Sequence, residues 1–268
     1  MKYGFIGTGN LVQTILAGLH ASGINSQYEF FLYDIDTDKA QKVSDKYNIP
    51  MCPSASETVA NSDVVVLGIK PNQLFPLLDD IAHEVRIYLP TLISLPVGIA
   101  IDTIEKHLGF SVPIVRIVPN VNAQVFLSTT CFCENEMAAA KSAELKQGIM
   151  HMLGSIGTVS VIPENQFDIF TVIASSAPAF VVKFAESLSQ AALKEGIPIE
   201  TARQIVAHML HGTGETLKTC RPQDLIDTIS SPGGTTIEGS LALTASGFET
   251  AIHHAVASCI CKLKLNEK

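Results

Sequence analysis

The feature that most constrains this fold comes at its start. A short apolar run, Lys2-Tyr3-Gly4-Phe5-Ile6, breaks into Gly7-Thr8-Gly9-Asn10 and resumes as a helical pattern over 11–21. A strand, a glycine turn and a helix in that order open the unit that receives a dinucleotide pyrophosphate. Gly7 permits the tight turn. Gly9 lets the backbone approach a phosphate, which then faces the free N–H groups of the helix start. At the third glycine position of the G-x-G-x-x-G pattern stands Val12, tolerable if strand and helix sit slightly apart. A plain strand-to-helix turn would use the same glycines, but the placement of the turn favours the dinucleotide reading. Asp34 closes the second strand-like run, about 20 residues further on, where a carboxylate accepts hydrogen bonds from an adenosine ribose. A carboxylate there, with Asp36 and Asp38 beside it, repels a 2′-phosphate and favours NADH over NADPH. Lys39 offsets that repulsion, and a turn-starting role would also suit Asp34.

Strand-sized apolar runs recur at 2–6, 29–34, 64–68, 91–95 and 114–118, with helical patterns such as 11–21 and 37–47 between them. This alternation predicts a parallel sheet with helices on both faces, and 130–133 and 158–161 add outer strands. Beyond Pro163 the strand signal fades. Segments 165–195, 199–219, 222–230 and 235 to the C-terminus read as helices, punctuated by Gly196-Ile197-Pro198 and Cys220-Arg221-Pro222. The expected architecture is α/β: a dinucleotide-binding Rossmann-type domain over 1–162, then an all-α helical substrate-binding and dimerisation domain over 163–268. Apolar residues on several faces of the later helices suggest burial against a second copy, a homodimer, rather than a bundle that packs only on itself.

Net charge is −8 and no run of Lys or Arg stands out, which argues against a nucleic-acid partner. The chain runs straight into its first strand without an apolar leader, and its apolar runs read as strand-sized. A cytoplasmic protein with no membrane partner is expected. Cys131-x-Cys133 and Cys259-x-Cys261 lack the usual zinc spacings. The side chains of each pair are expected to point apart, so the thiols read as small buried hydrophobes and no metal is expected.

A second glycine turn, Ser230-Ser231-Pro232-Gly233-Gly234-Thr235-Thr236-Ile237-Glu238, is as informative as the first. Pro-Gly-Gly ends one helix, and Thr235 with Glu238 three residues later reads as a capping box opening the next. Free amides, a helix dipole and three hydroxyls then converge on a site suited to a small carboxylate. A plain helix-to-helix turn would need only one glycine and one cap. Other polar groups are weaker candidates. His208 and His211 share a helical face and suit a surface or dimer contact. Lys183 lacks the Asn four residues later that a β-hydroxyacid dehydrogenase dyad would require, and reads as a solvated helix residue.

Five blocks occur in order: Gly4-Phe5-Ile6-Gly7-Thr8-Gly9-Asn10-Leu11, Gly68-Ile69-Lys70-Pro71, Arg116-Ile117-Val118-Pro119-Asn120, Ser175-Ser176-Ala177-Pro178-Ala179-Phe180 and Ser231-Pro232-Gly233-Gly234-Thr235-Thr236. In these blocks the sequence resembles the pyrroline-5-carboxylate reductases across nearly its whole length. The resemblance implies hydride reduction of 1-pyrroline-5-carboxylate to L-proline with NADH or NADPH, by a homodimer that can assemble into a ring of dimers. It further implies that Gly7, Thr8, Gly9, Asn10 and Leu11 hold the pyrophosphate, and that Lys70 and Pro71 lie near the nicotinamide. Ser231 and the amides of Gly234 and Thr235 would bind the substrate carboxylate, with the Thr236 hydroxyl, the catalytic group, on the ring nitrogen. Phe180 in place of Tyr, Ser175 in place of Gly, Val118 in place of Met, Leu95-Pro96-Val97-Gly98 in place of an alanine-rich turn, and Asp34 depart from the family pattern. Two alternatives stand beside this reading: a reductase of another small cyclic imine or 2-hydroxyacid, and a non-catalytic nucleotide-binding regulatory relative.

Overall fold

The computed structural model describes residues 1–266. Seven strands form one sheet: β1 (Lys2–Ile6), β2 (Glu29–Tyr33), β3 (Val64–Leu67), β4 (Thr91–Ser94), β5 (Ile114–Val118), β6 (Ser128–Glu134) and β7 (Gly157–Val161), in the order β2-β1-β3-β4-β5-β6-β7. All neighbours are parallel except β5 and β6. Only a short 3₁₀ turn, Val121–Val125, joins those two strands, and a parallel crossover needs a dozen or more residues. The helices of this region are α1 (Asn10–Ala21), α2 (Thr37–Tyr47), α3 (Ala55–Ala60), α4 (Pro71–Tyr88), α5 (Ile101–Leu108), α6 (Glu136–Ala139) and α7 (Ala143–Gly154).

The central strands β3 and β4 are buried along their whole length, which explains why they read as continuous apolar runs. Alternate residues of each strand feed different cores. Val64 and Val66 join Phe5, Val12 and Leu16 on one face, while Val65 and Leu67 join Ile6, Leu74, Leu78 and Ile81 on the other. Helix α4 shows how sequence sets this packing. Pro71 occupies its first position, where a missing N–H costs nothing, and Leu74, Leu78, Ile81 and Val85 form its buried stripe. Cys131 and Cys133 depart from the expectation that they point apart. Both are buried in the same core, because residues two apart in a strand share a face.

From residue 164 the chain is helical. A 3₁₀ turn (Glu164–Gln166), α8 (Phe167–Thr171) and a π-turn (Val172–Ser176) lead into α9 (Ala177–Lys194), followed by α10 (Ile199–Thr216), α11 (Pro222–Ile229), α12 (Thr235–Ala245) and α13 (Phe248–Asn266). The single helix expected from Thr235 onward is two, because Gly247 turns the backbone to φ +78° between α12 and α13; its last two residues lie outside the described range. The expectation of strand-sized apolar runs also needs correction. Glu164–Lys194 is a 31-residue helical stretch with a window of mean hydropathy 1.5, long and apolar enough to cross a bilayer by length and composition alone.

The chain divides into two compact units, Met1–Ser175 with Cys259–Lys268, and Ser176–Ser258. The first carries both cores. In the second, α9 and α10 pack on each other, yet α9 buries only Ser189, α10 only Ala202 and Val206, and α11 and α12 bury no residue. Val181, Val182, Ile205, Ile226, Ile229 and Leu241 are exposed.

Candidate active site

The first glycine turn has the geometry its spacing implies. Gly7 takes φ +96°, and a Cβ there would stand 2.6 Å from the Gly68 carbonyl oxygen. Gly9 is the extended N-cap of α1, and no side chain caps that helix. The first intrahelical bond runs from Gln13 N–H to Gly9 C=O, which leaves the amides of Asn10, Leu11 and Val12 without helical partners. Val12 is accommodated by a different device from the one expected. Strand and helix are not merely spaced apart; the missing side chain has moved to Gly68, directly after β3, where a Cβ would fall 2.2 Å from Val12 Cγ2.

A crevice of about 790 Å³ opens beyond this turn, at the carboxyl ends of β1, β2 and β3. It lies where the chain runs from β1 to β2 on one side and β3 on the other, the switch point at which open α/β sheets bind ligands. Gly7, Gly9, Asn10, Leu11, Asp34 and Lys70 line it, as do Ile35, Lys39 and Ile69. Thr8 lies beneath, fully buried, and Pro71 is the first residue of α4. The Lys70 N–H donates to Gln73 Oε1 at 3.3 Å, which steadies the start of that helix. Thr8 donates both its N–H and its hydroxyl to Asp34 Oδ2, at 2.7 and 2.8 Å. Asp36 N–H donates to Asp34 Oδ1 at 3.1 Å, and Lys39 Nζ lies 3.6 Å from Oδ2. Burial alone would raise the Asp34 pKa, but these donors and the Lys39 charge outweigh it and hold the carboxyl below its usual value. A glycine cradle with free amides, an ionised carboxylate and an apolar wall fit a dinucleotide.

The second glycine turn is built differently from its sequence reading. The capping box does not form. Gly234 is itself the extended N-cap, at φ −83° and ψ 168°, so Thr235 is already helical and no side chain caps α12. The first amides of α12 therefore have no capping partner. Gly233 takes φ +68°, and Gly234 N–H donates to Ser231 C=O at 3.0 Å. A Cβ on Gly234 would stand 2.4 Å from Ser231 Oγ, so the glycine makes room for that hydroxyl beside the helix start. Ser230 Oγ is buried without a hydrogen-bond partner among the described residues. Ser231, Gly234, Thr235 and Thr236 are thus brought together around one open, amide-rich helix terminus. Among the described residues no three His, Cys, Asp or Glu side chains gather as metal ligands.

Residues 164–265 match the family model described as pyrroline-5-carboxylate reductase dimerisation, and residues 2–94 match one described as NADP oxidoreductase, coenzyme F420-dependent. Pyrroline-5-carboxylate reductase 2 of Bacillus subtilis (strain 168) is 30% identical over 264 residues, covering 95% of this chain and 91% of that protein. This chain belongs to the pyrroline-5-carboxylate reductase family. A crystal structure of 1-pyrroline-5-carboxylate reductase from Streptococcus pyogenes is 32% identical, with a TM-score of 0.89 and 98% of each chain covered. The Plasmodium falciparum pyrroline carboxylate reductase, solved with NADP bound, is 27% identical with a TM-score of 0.88, covering 100% of this chain and 98% of that one.

Residues of the remaining blocks by which the chain resembles this reductase family make packing and hydrogen-bond contacts away from the crevice lining. Arg116, buried in β5, reaches Glu164 Oε1 at 2.6 Å and lies over the Phe167 ring at 4.2 Å. Glu164 Oε1 also accepts from the Ile101 N–H at the start of α5. Asn120 uses all of its polar groups: its N–H donates to Ser128 Oγ, its Nδ2 to Ala174 C=O at 2.8 Å, and its Oδ1 accepts from Asn122 N–H. Ser175 Oγ donates to Pro119 C=O at 3.4 Å. Lys183 is exposed on α9. Sequence reasoning missed Ile35, an 84% exposed hydrophobe on the crevice wall, and the anchoring of Asp34 by Thr8. An isoleucine directly after the acidic strand end was the available signal for the first. Nothing short of the folded turn revealed the second.

Proposed function

We propose that this reductase converts 1-pyrroline-5-carboxylate to L-proline, using NADH or NADPH. The observation that carries the reading is the start of α12, where Gly234 makes room for the Ser231 hydroxyl beside amides that no side chain caps. An anion-binding terminus of this kind suits the carboxylate of a small ring. Ser231 and the amides of Gly234 and Thr235 hold that carboxylate, and the Thr236 hydroxyl accepts a hydrogen bond from the protonated ring nitrogen. Gly7, Thr8, Gly9, Asn10, Leu11, Asp34, Lys70 and Pro71 make up the dinucleotide side. Of these, Thr8 acts through Asp34 and Pro71 through the start of α4.

When bound, the reduced nicotinamide supplies the hydride. The residues around Thr236 include no strong acid, and none is needed if the imine enters protonated. The imine carbon receives the hydride, the C=N π pair withdraws onto nitrogen as a lone pair, and solvent protonates the product amine. The protein's contribution is then orientation and exclusion of competing poses rather than proton transfer.

The division of labour proposed is a dinucleotide-binding domain over 1–162 and a helical substrate-binding and dimerisation domain over 163–268. The match of 164–265 to a dimerisation family and the uncovered apolar residues of α9 to α12 support a homodimer. The same pairing answers for the apolar stretch Glu164–Lys194 without a bilayer. Further association of dimers into a ring, and a cytoplasmic location, belong to the same reading. The test is oxidation of NADH or NADPH dependent on racemic pyrroline-5-carboxylate. One proline formed per nicotinamide oxidised is expected. No substrate-dependent oxidation with either nucleotide would overturn the proposal.

A further inference from the structure

We infer that this chain selects NADH over NADPH, through the one acceptor position left open on the Asp34 carboxylate. The inference rests on the dinucleotide reading above and adds which dinucleotide the crevice takes. An ionised carboxylate offers about four acceptor positions and no donor. Thr8 N–H and Thr8 Oγ1 occupy Oδ2, and Asp36 N–H occupies one position of Oδ1. One position on Oδ1 remains, on a side chain that lines the crevice. A ribose 2′-hydroxyl is a donor and completes the set. A 2′-phosphate dianion has only acceptor oxygens to offer it, and like charges meet.

Three further observations keep that repulsion from being relieved. The Asp34 side chain cannot swing away cheaply, because the group it would abandon, Thr8, is fully buried in the glycine turn. The nearest cation, Lys39, is drawn to Asp34 Oδ2 at 3.6 Å instead of standing free to receive a phosphate. Asp36, also on the crevice wall, adds a second carboxylate, and its Oδ1 caps α2 by accepting from Lys39 N–H at 3.0 Å. The lysines along the wall are Lys39 and, from the Gly68-Ile69-Lys70 turn, Lys70; no arginine lines it among the described residues. Beside Asp34, the exposed Ile35 gives the adenine ring an apolar surface, so the adenosine end is shaped for a nucleoside without an added phosphate. The Plasmodium falciparum relative was solved with NADP, so the selection is assigned to these residues and not to the family at large.

The experiment is calorimetric titration of the full chain with ADP-ribose and with 2′-phospho-ADP-ribose, fragments that lack nicotinamide and report binding without turnover. Wild type is expected to bind ADP-ribose at least about tenfold more tightly. Asp34→Asn, which keeps the shape and removes the charge, should narrow that ratio by about tenfold. Lys39→Glu, a change on an exposed helix that leaves the turn intact, should widen it. A wild type that binds the 2′-phosphorylated fragment equally well or better overturns the inference while leaving the dinucleotide reading standing. So does a ratio unmoved by Asp34→Asn or narrowed by Lys39→Glu. If the folded protein binds neither fragment, the dinucleotide reading itself fails and this inference with it.

Discussion

Val12 and Gly68 divide between them a task that the dinucleotide fingerprint gives to one glycine on the helix. The pattern puts the small residue at the third position of the turn; here the helix carries the side chain and the strand end gives up its own. Gly68→Ala should therefore destabilise the protein by about 1–3 kcal/mol, the usual cost of an overpacked site. Adding Val12→Ala should recover most of that loss in urea unfolding, because the clash at 2.2 Å is with Val12 Cγ2. The pairing was not legible from sequence, since it joins positions far apart in the chain. Thr236 is the residue proposed to hold the ring nitrogen. If its hydroxyl holds the ring nitrogen in the orientation that hydride transfer needs, Thr236→Ala should lower kcat/KM on the order of 100-fold with pyrroline-5-carboxylate. It should leave the affinity for reduced dinucleotide unchanged, and an unaltered kcat/KM would remove Thr236 from the mechanism.

Elements with strong periodicity were legible nearly to the residue. Lys2–Ile6 and Ile114–Val118 are strands as read, and α2 spans Thr37–Tyr47 as its pattern predicts, capped by the Asp36 side chain. Elements whose limits depend on backbone dihedrals were not. The break at Gly247 is one case, and the start of α12 is another. There Thr235 has the chemistry of an N-cap, but Gly234 takes the position because the preceding Pro-Gly turn delivers it in the extended conformation. The antiparallel entry of β6 was hidden too, since it depends on the length of the connection rather than on strand composition. Between elements, the Arg116–Glu164 pair ties β5 to the turn before α8 and to the start of α5. Arg116 is buried, and losing its partner would leave a charge in the interior. A fully buried pair broken on one side costs about 3–5 kcal/mol. Glu164 is partly exposed and Asp168 stands 4.0 Å away, so about 2 kcal/mol is expected for Glu164→Ala. Arg116→Met combined with Glu164→Leu should recover much of it. A double variant no better than Glu164→Ala in denaturant unfolding would contradict this account.

At the scale of the molecule, the sheet unit completes its own cores while the helices beyond Ser176 leave apolar side chains uncovered. A second copy explains that surface. Val182, 67% exposed on α9, is placed to report on it. Val182→Asp should give a monomer in sedimentation velocity, with loss of reductase activity and with ADP-ribose affinity retained. A variant that stays dimeric would move the interface elsewhere. Delivery of hydride from a reduced nicotinamide to the imine carbon of a five-membered ring can be followed by label transfer. The protein is incubated with pyrroline-5-carboxylate and a reduced nicotinamide deuterated at both positions of C4, and the product is examined by mass spectrometry and NMR. L-proline carrying one deuterium on the ring carbon next to nitrogen that had been the imine carbon is expected. Proline without deuterium, or no proline at all, would contradict that delivery.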